Sequence, residues 1–328
     1  MSRGEVMKHF YALLTLCYFS LLVLGQCPLF AANEAVSGKK APSSATPVMP
    51  NKAVMHNDQG IKLYEKGDFG AALLEFNRAL AEDPANVTVL VNRGLTFAKR
   101  EQYKGAIENF YYALDFDKNN LSALKYLAAV YFLAGEYDKA IKPYDRVTTL
   151  DSSSYDVYAK RGITYAALER HNAAIQDFTQ TLTRTLTSKY FPAYISRGLS
   201  LTTKGNCARA ISDFDNAVMM SPNNPFIYLV RSEAYAKSGD FSSALADLNK
   251  TCSLGYLTVC ESIRQSRFDI ENTEASFVLQ YSSKREGEEL YLSSRKKLDS
   301  FFATTQSTEM KKFFDNDLRP LSIRSGNY

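Results

Sequence analysis

The chain has 328 residues, 45% of them apolar and 23% charged, with 39 basic residues against 35 acidic ones. An excess of +4 is too small to support a nucleic-acid surface or an anionic-membrane surface, and the composition is that of an ordinary globular protein. Tryptophan is absent, yet there are 21 tyrosines and 20 phenylalanines, a bias that a repeat in the middle of the chain explains.

The first element is a short basic start, "MKHF" at Met7–Phe10, followed by the uncharged run "YALLTLCYFSLLVLG" at Tyr11–Gly25. Pro28 breaks the run and "LFAANEA" supplies small residues. This order predicts a secretory signal peptide over residues 1–31, cut after Ala31 with Ala32 the next best place, and Met7 is an alternative start. Left uncut, the same segment would anchor the chain, and it is the only membrane contact the sequence offers. "LGQC" resembles a lipobox but departs from it at Gln26, where a small residue should precede Cys27. The expected destination is the periplasm or the exterior. Cutting removes Cys17 and Cys27 and leaves Cys207, Cys252 and Cys260 in an oxidising compartment, enough for one bridge and one thiol left over. Residues 32–52 are rich in Ala, Ser and Pro without apolar period, which predicts a disordered linker.

From residue 53 the chain repeats. Gly60, Gly94, Ala128 and Gly162 are spaced by 34 residues, Gly198 follows after 36 and Ser232 after a further 34. Three residues after each comes a bulky side chain: Leu63, Phe97, Tyr131, Tyr165, Leu201, Tyr235. Twelve after it is always Ala: Ala72, Ala106, Ala140, Ala174, Ala210, Ala244. Four later stand Phe76, Phe110, Tyr144, Phe178, Phe214 and Leu248, and three beyond them Ala79, Ala113, Val147, Thr181, Ala217 and Thr251. Steps of three and four put these residues on one helical face, small ones admitting a neighbour and large ones filling the gap. "KGDF", "AGEY", "KGNC" and "SGDF" mark a tight turn between a helix A and a helix B. Such a hairpin cannot bury its own apolar face and must stack on its neighbours.

The frame resembles the tetratricopeptide repeat (TPR) family. It covers six repeats, at 53–86, 87–120, 121–154, 155–188, 191–224 and 225–256. The resemblance implies an all-α fold, a TPR superhelix or α-solenoid, whose inner groove, lined by the A helices, binds other proteins as peptides or exposed helices. Some members clamp a terminal carboxylate with Lys and Asn at set places. Here only Asn92 fits, and Ile61, Ser122 and Tyr126 occupy the other places, so the clamp is not carried over.

An arginine precedes the small residue in four repeats, and an acid or amide follows it by 16: Arg93 with Asn109, Arg161 with Asp177, Arg197 with Asp213, Arg231 with Asp247. Repeat 3 has neither, with Leu127 and Pro143 in those places, and repeat 1 has Gln59 and Glu75. The two features appear and vanish together, which favours a brace from helix A to helix B over an anion-binding ladder. His171 is expected in a solvent-exposed turn, His9 in the signal and His56 near the first helix, with no metal-ligand spacing among them. There is no Gly-x-Ser-x-Gly, no His-Glu-x-x-His and no phosphate-cradling loop. No enzyme activity, cofactor, metal, nucleic acid or small-molecule substrate is therefore expected.

A partner site is sought on the A-helix residues that face away from helix B. In the middle of the array these are Val91, Leu95, Ala98, Lys125, Ala129, Phe132, Leu133, Ala159, Ile163, Ala166, Ile195 and Leu199, an apolar stretch that is either exposed as a partner-binding groove or covered by neighbouring repeats or by the chain's own tail. After repeat 6 comes "NKTCSLGYLTVCESI", whose Cys252 and Cys260 resemble in spacing the cysteines of Sel1-like repeats. That resemblance implies a structural disulfide from the end of one helix to the start of the next, with a capping helix at 257–266. Cys207 is placed in the turn of repeat 5. Residues 267–328 leave the period and form a C-terminal extension, partly disordered, whose phenylalanines could dock on the array. The functional expectation is a non-enzymatic protein–protein scaffold of the cell envelope. The alternatives are an accessory subunit of an envelope enzyme, with its specificity in the extension, and a structural homo-oligomer.

Overall fold

Each repeat carries two apolar stripes with a turn between them, so the helices come in pairs. The structure, a computed structural model, describes residues 51–184, 191–274, 292–294, 296 and 320. The expected signal peptide, nearly all of the linker and nearly all of the extension beyond 274 lie outside the described residues. Repeat 1 folds into α1 (Lys52–Glu65) and α2 (Phe69–Glu82), and repeat 2 into α3 (Val87–Lys99) and α4 (Tyr103–Phe116). Repeat 3 gives α5 (Leu121–Leu133) and α6 (Tyr137–Leu150), repeat 4 α7 (Tyr155–Ala167) and α8 (His171–Arg184). Repeat 5 gives α9 (Phe191–Thr203) and α10 (Cys207–Met220), and repeat 6 α11 (Pro225–Lys237) and α12 (Phe241–Ser253), before a final α13 (Leu257–Glu274). No strand occurs among the described residues.

Local sequence sets the ends of these helices. Asp68 accepts from the Ala71 amide at 3.0 Å and Asp240 from the Ser243 amide at 3.0 Å, each covering an otherwise unpaired donor at the start of a B helix. The A–B turn needs a left-handed residue, and Gly67, Gly135, Gly205 and Gly239 supply it at φ between 76 and 84°. Repeats 2 and 4 put Glu101 and Glu169 there instead, both at φ 59°.

Inside each hairpin the small residue of helix A meets the ring of helix B. A Cβ added at Gly60, Gly94, Gly162 or Gly198 would come within 2.6 to 2.9 Å of Phe76, Phe110, Phe178 or Phe214. Those four rings are fully buried. Repeats 3 and 6 have Ala128 and Ser232 at the small position and Tyr144 and Leu248 at the large one, so the two columns change together.

The chain divides within α5, between Leu127 and Ala128, into two compact units. In the first, α3 packs on α4, α2 and α1. In the second, α9 touches α10, α8, α11 and α7, and α13 closes on α12. Val259 and Ile263 of α13 join Leu229, Ala244 and Leu248 in one apolar cluster. α13 runs on to Glu274, past the expected end of the capping helix at 266, because no Gly or Pro interrupts 257–274.

Candidate protein-interaction site

The arginines come first, because they carry the largest buried charge. Arg161 holds Asp177 with two parallel bonds, Nε to Oδ2 and Nη2 to Oδ1, both 2.8 Å. Arg197 grips Asp213 in the same way at 2.8 and 2.7 Å, and Arg231 grips Asp247 at 2.8 and 2.8 Å. This is the planar fork that suits a carboxylate best. The intra-repeat braces are therefore as the sequence pattern predicts, with a neutral form in repeat 2, where Arg93 Nε donates to Asn109 Oδ1 at 2.6 Å.

The other half of the arrangement was not read from the sequence. Nη1 of each arginine reaches back to the B helix of the preceding repeat: Arg93 to Asn77 at 2.9 Å, Arg161 to Asp145 at 2.8 Å, Arg197 to Thr179 at 3.1 Å, Arg231 to Asp215 at 2.6 Å. One guanidinium thus ties three helices. Tyrosines flank it: Arg161 lies 5.3 Å from the Tyr158 ring and 5.9 Å from Tyr165, Arg231 5.4 Å from Tyr228 and 5.6 Å from Tyr235. Burial opposes the Arg161 charge, but the Asp177 hydrogen bonds and the fields of Asp177 and Asp145 outweigh it and raise its pKa above the ordinary value. The signal for the inter-repeat contact was a mixed column of Asn, Asp and Thr that keeps one acceptor in every braced case.

Repeat 1, which lacks the arginine, fills the acid's place differently. Glu75 accepts from Arg78 at 2.5 Å and pairs with His56 Nδ1 at 2.7 Å. The His56 contact is the main cause that holds the Glu75 carboxyl below its usual range, against the effect of burial.

The twelve expected groove residues are not an open apolar floor. Val91, Leu95, Ala98, Ala129, Phe132, Ala159, Ile163, Ala166, Ile195 and Leu199 are all buried, at 0 to 3% exposure. Lys125 and Leu133 are half-buried. An A helix such as α9 has four helices against it, so facing away from its own B helix does not mean facing solvent. Asn57 and Asn92 are also buried there, and Asn92 Nδ2 donates to Asn57 Oδ1 at 2.9 Å across α1 and α3.

His171 and Cys207 need correction as well. Each is the first residue of a B helix, α8 or α10, and each is buried. Their column also holds Phe69, Tyr103, Tyr137 and Phe241. It is a packing position, as the 5.3 Å edge contact of Phe69 with Tyr64 and the 5.0 Å contact of Tyr137 with Phe132 illustrate. Desolvation is the main cause that lowers the His171 pKa. No group of three His, Cys, Asp or Glu suited to a metal occurs among the described residues. The turn between α12 and α13 brings Cys252 and Cys260 together, with Cα atoms 4.9 Å apart, inside the range of bridged cysteines.

Large apolar side chains stay exposed at several places among the described residues, Met55, Leu74, Met219 and Leu257 among them, and three exposed aromatics lie together on α4. Tyr111, Tyr112 and Phe116 are 49, 55 and 57% exposed. The sequence did carry a signal: the column of Tyr112 holds Arg78, Arg146, Gln180, Asn216 and Lys250 in the other repeats.

A family model described as Tetratricopeptide repeat matches residues 57–120. A tetratricopeptide repeat protein from Parabacteroides merdae has a similar structure, with a TM-score of 0.56 at 19% identity, over 74% of this chain and 99% of that one. Residues 57–120 are thus similar to the tetratricopeptide repeat family, and the chain shares the TPR fold. Its fold class is the all-α TPR superhelix that the resemblance implies. YrrB, a TPR protein with an unusual peptide-binding site, is similar with a TM-score of 0.51 at 17% identity, over 58% of this chain and 97% of YrrB. In sequence, this TPR chain is 32% identical over 101 residues to serine/threonine-protein phosphatase 5 of Rattus norvegicus, which is 31% of this chain and 20% of that protein. The TPR chain thus spans about a fifth of the length of the first curated relatives it matches. That match falls on the TPR region of the phosphatase, and nothing in it shows catalysis.

Proposed function

We propose that the chain is a non-enzymatic scaffold of the cell envelope that binds a peptide or helix of a partner protein on its TPR array. One observation carries the reading: the frame recurs six times, and each recurrence is absorbed by packing and bracing rather than by a constellation of reactive groups. TPR proteins mediate protein–protein contact, and YrrB has a peptide-binding site. The burial of ten groove positions narrows the site. Within the second unit, contact on the A-helix side falls to half-buried positions such as Leu133. Export follows from the basic, apolar and Ala-rich order of residues 7–31. In that compartment Cys252 and Cys260 form a structural disulfide that fastens α13 to the last repeat.

Two measurements test this. Leu133→Glu should weaken capture of a partner from envelope extracts at least severalfold while leaving the circular dichroism and melting temperature near those of the parent. Unchanged capture would sink the A-helix site. The intact mass of the chain recovered from its producing cells should lack residues 1–31 and should rise by two hydrogens on reduction. A full-length mass would refute cleavage of the signal, and thiols at Cys252 and Cys260 as well as at Cys207 before reduction would refute the bridge.

A further inference from the structure

Repeat 2 holds an arginine that its own frame leaves short of negative charge. In repeats 4 and 6 the brace arginine meets two carboxylates, Asp177 with Asp145 and Asp247 with Asp215. Arg93 meets only the amide oxygens of Asn109 and Asn77, at 2.6 and 2.9 Å, and no carboxylate among the described residues pairs with it. The second arm of the fork differs too. Arg161 and Arg231 set Nη2 on the second carboxylate oxygen at 2.8 Å. Asn109 has one oxygen, which Nε engages, and its nitrogen donates to the Gly105 carbonyl at 2.8 Å. Arg93 Nη2 therefore has no acceptor among the described residues.

Exposed aromatic surface lies on α4, the helix whose Asn109 holds this cation. Tyr112 and Phe116 are one turn apart on α4 and are 55% and 57% exposed. Tyr112 and Phe116 follow Asn109 by three and seven residues and so share its face of α4, and the Tyr112 phenol opposes the lowering that burial imposes on the Arg93 pKa. An uncompensated guanidinium beside apolar rings is complementary to a carboxylate that arrives with an apolar neighbour. Glu108 and Asp115 are exposed on the same helix and disfavour a long acidic run.

We propose that Arg93, Tyr112 and Phe116 form a docking site for a partner peptide that presents a single carboxylate next to an aromatic or aliphatic side chain. The carboxylate takes Nη2 of Arg93, and the apolar side chain lies on Tyr112 and Phe116. The inference rests on the scaffold reading and places one contact on the B-helix side of repeat 2.

The probe is N-acetyl-phenylalanine, with its neutral amide as control, titrated into the full chain labelled with 15N-arginine. The Nε–H resonance of Arg93 should shift saturably, while those of Arg161, Arg197 and Arg231, each already holding a carboxylate, should stay in place. The amide should bind about tenfold or more weakly. The double variant Asn77→Asp, Asn109→Asp supplies repeat 2 with the carboxylates of repeats 4 and 6. It should keep or raise the melting temperature and weaken the acid's binding by about the same factor. Tyr112→Ala, an exposed change that leaves the fold intact, should also weaken it. Equal shifts at all four arginines, equal binding of acid and amide, or an unaffected double variant would each overturn the proposal. So would a shift of Arg93 that follows protein concentration rather than probe, since the occupant is then a second copy. Lost capture in Leu133→Glu with the Arg93 titration intact leaves this site standing, and the reverse result leaves the A-helix site standing.

Discussion

Repeats 2 and 4 have the same frame and use it differently. Both place an arginine before the glycine, a phenylalanine opposite the glycine and a glutamate in the left-handed turn. In repeat 4 the arginine is closed off by Asp177, Asp145, Thr148 and two tyrosines. In repeat 2 it has two amides, with Leu90 and Phe97 where those tyrosines stand. The packing of a hairpin and the satisfaction of its charge are thus separable. The first is held fixed from repeat to repeat, and the second varies without disturbing it.

The largest expected effect breaks the comparison at the brace. Asp177→Ala leaves the Arg161 guanidinium, 14% exposed in its side chain, without its bidentate partner. Removing one member of such a pair should cost about 3 kcal/mol by chemical denaturation. Asn109→Ala removes a neutral acceptor from Arg93 and should cost about 1 kcal/mol. Equal losses would show that the carboxylate contributes no more than an amide and that the brace is a matter of shape.

Between these falls a change that should treat both repeats alike. Gly94→Ala and Gly162→Ala each drive a Cβ toward a buried ring, to 2.7 Å of Phe110 or 2.9 Å of Phe178. Overpacking costs about 1–3 kcal/mol and the better helix propensity of Ala returns up to about 1. Net losses of about 1–2 kcal/mol in both variants are expected, with Gly94 the tighter site. A loss confined to Gly162 would mean that brace and core are coupled in repeat 4 and that the separation above is false.

These columns also show where the sequence was readable. Gly162 with Phe178 and Arg161 with Asp177 recur at fixed offsets inside one hairpin, so comparing six copies exposes them. The backward bond of the arginine did not stand out, because its acceptor changes type and the two extra residues before repeat 5 move Thr179 to 18 residues upstream of Arg197. His171 and Cys207 were misplaced by treating the turn as longer than it is. Their aromatic column mates were the missed sign. The groove failed for another reason. Periodicity gives the direction in which Leu95 or Ile163 points along its helix, but burial depends on what else stacks there, and that is a property of the array.

The smallest effect is a gain, and it too should be shared by both repeats. Glu101 and Glu169 occupy at φ 59° the turn place that Gly67, Gly135, Gly205 and Gly239 fill elsewhere. A side chain in the left-handed region costs about 1–2 kcal/mol, and glycine removes that cost while adding backbone entropy to the unfolded chain. Glu169→Gly should therefore stabilise by about 0.5–1 kcal/mol, and Glu101→Gly should change in the same direction. The reverse substitution, Gly205→Glu, should lose a similar amount in a repeat that already has the preferred residue. If Glu169→Gly instead destabilises, the glutamate makes a favourable contact in the turn that outweighs its backbone strain. Its nearness to His171, whose pKa it raises against the dominant effect of burial, identifies where to look. Repeating the measurement in His171→Phe, which restores the aromatic of that column, then separates the contact from the turn geometry.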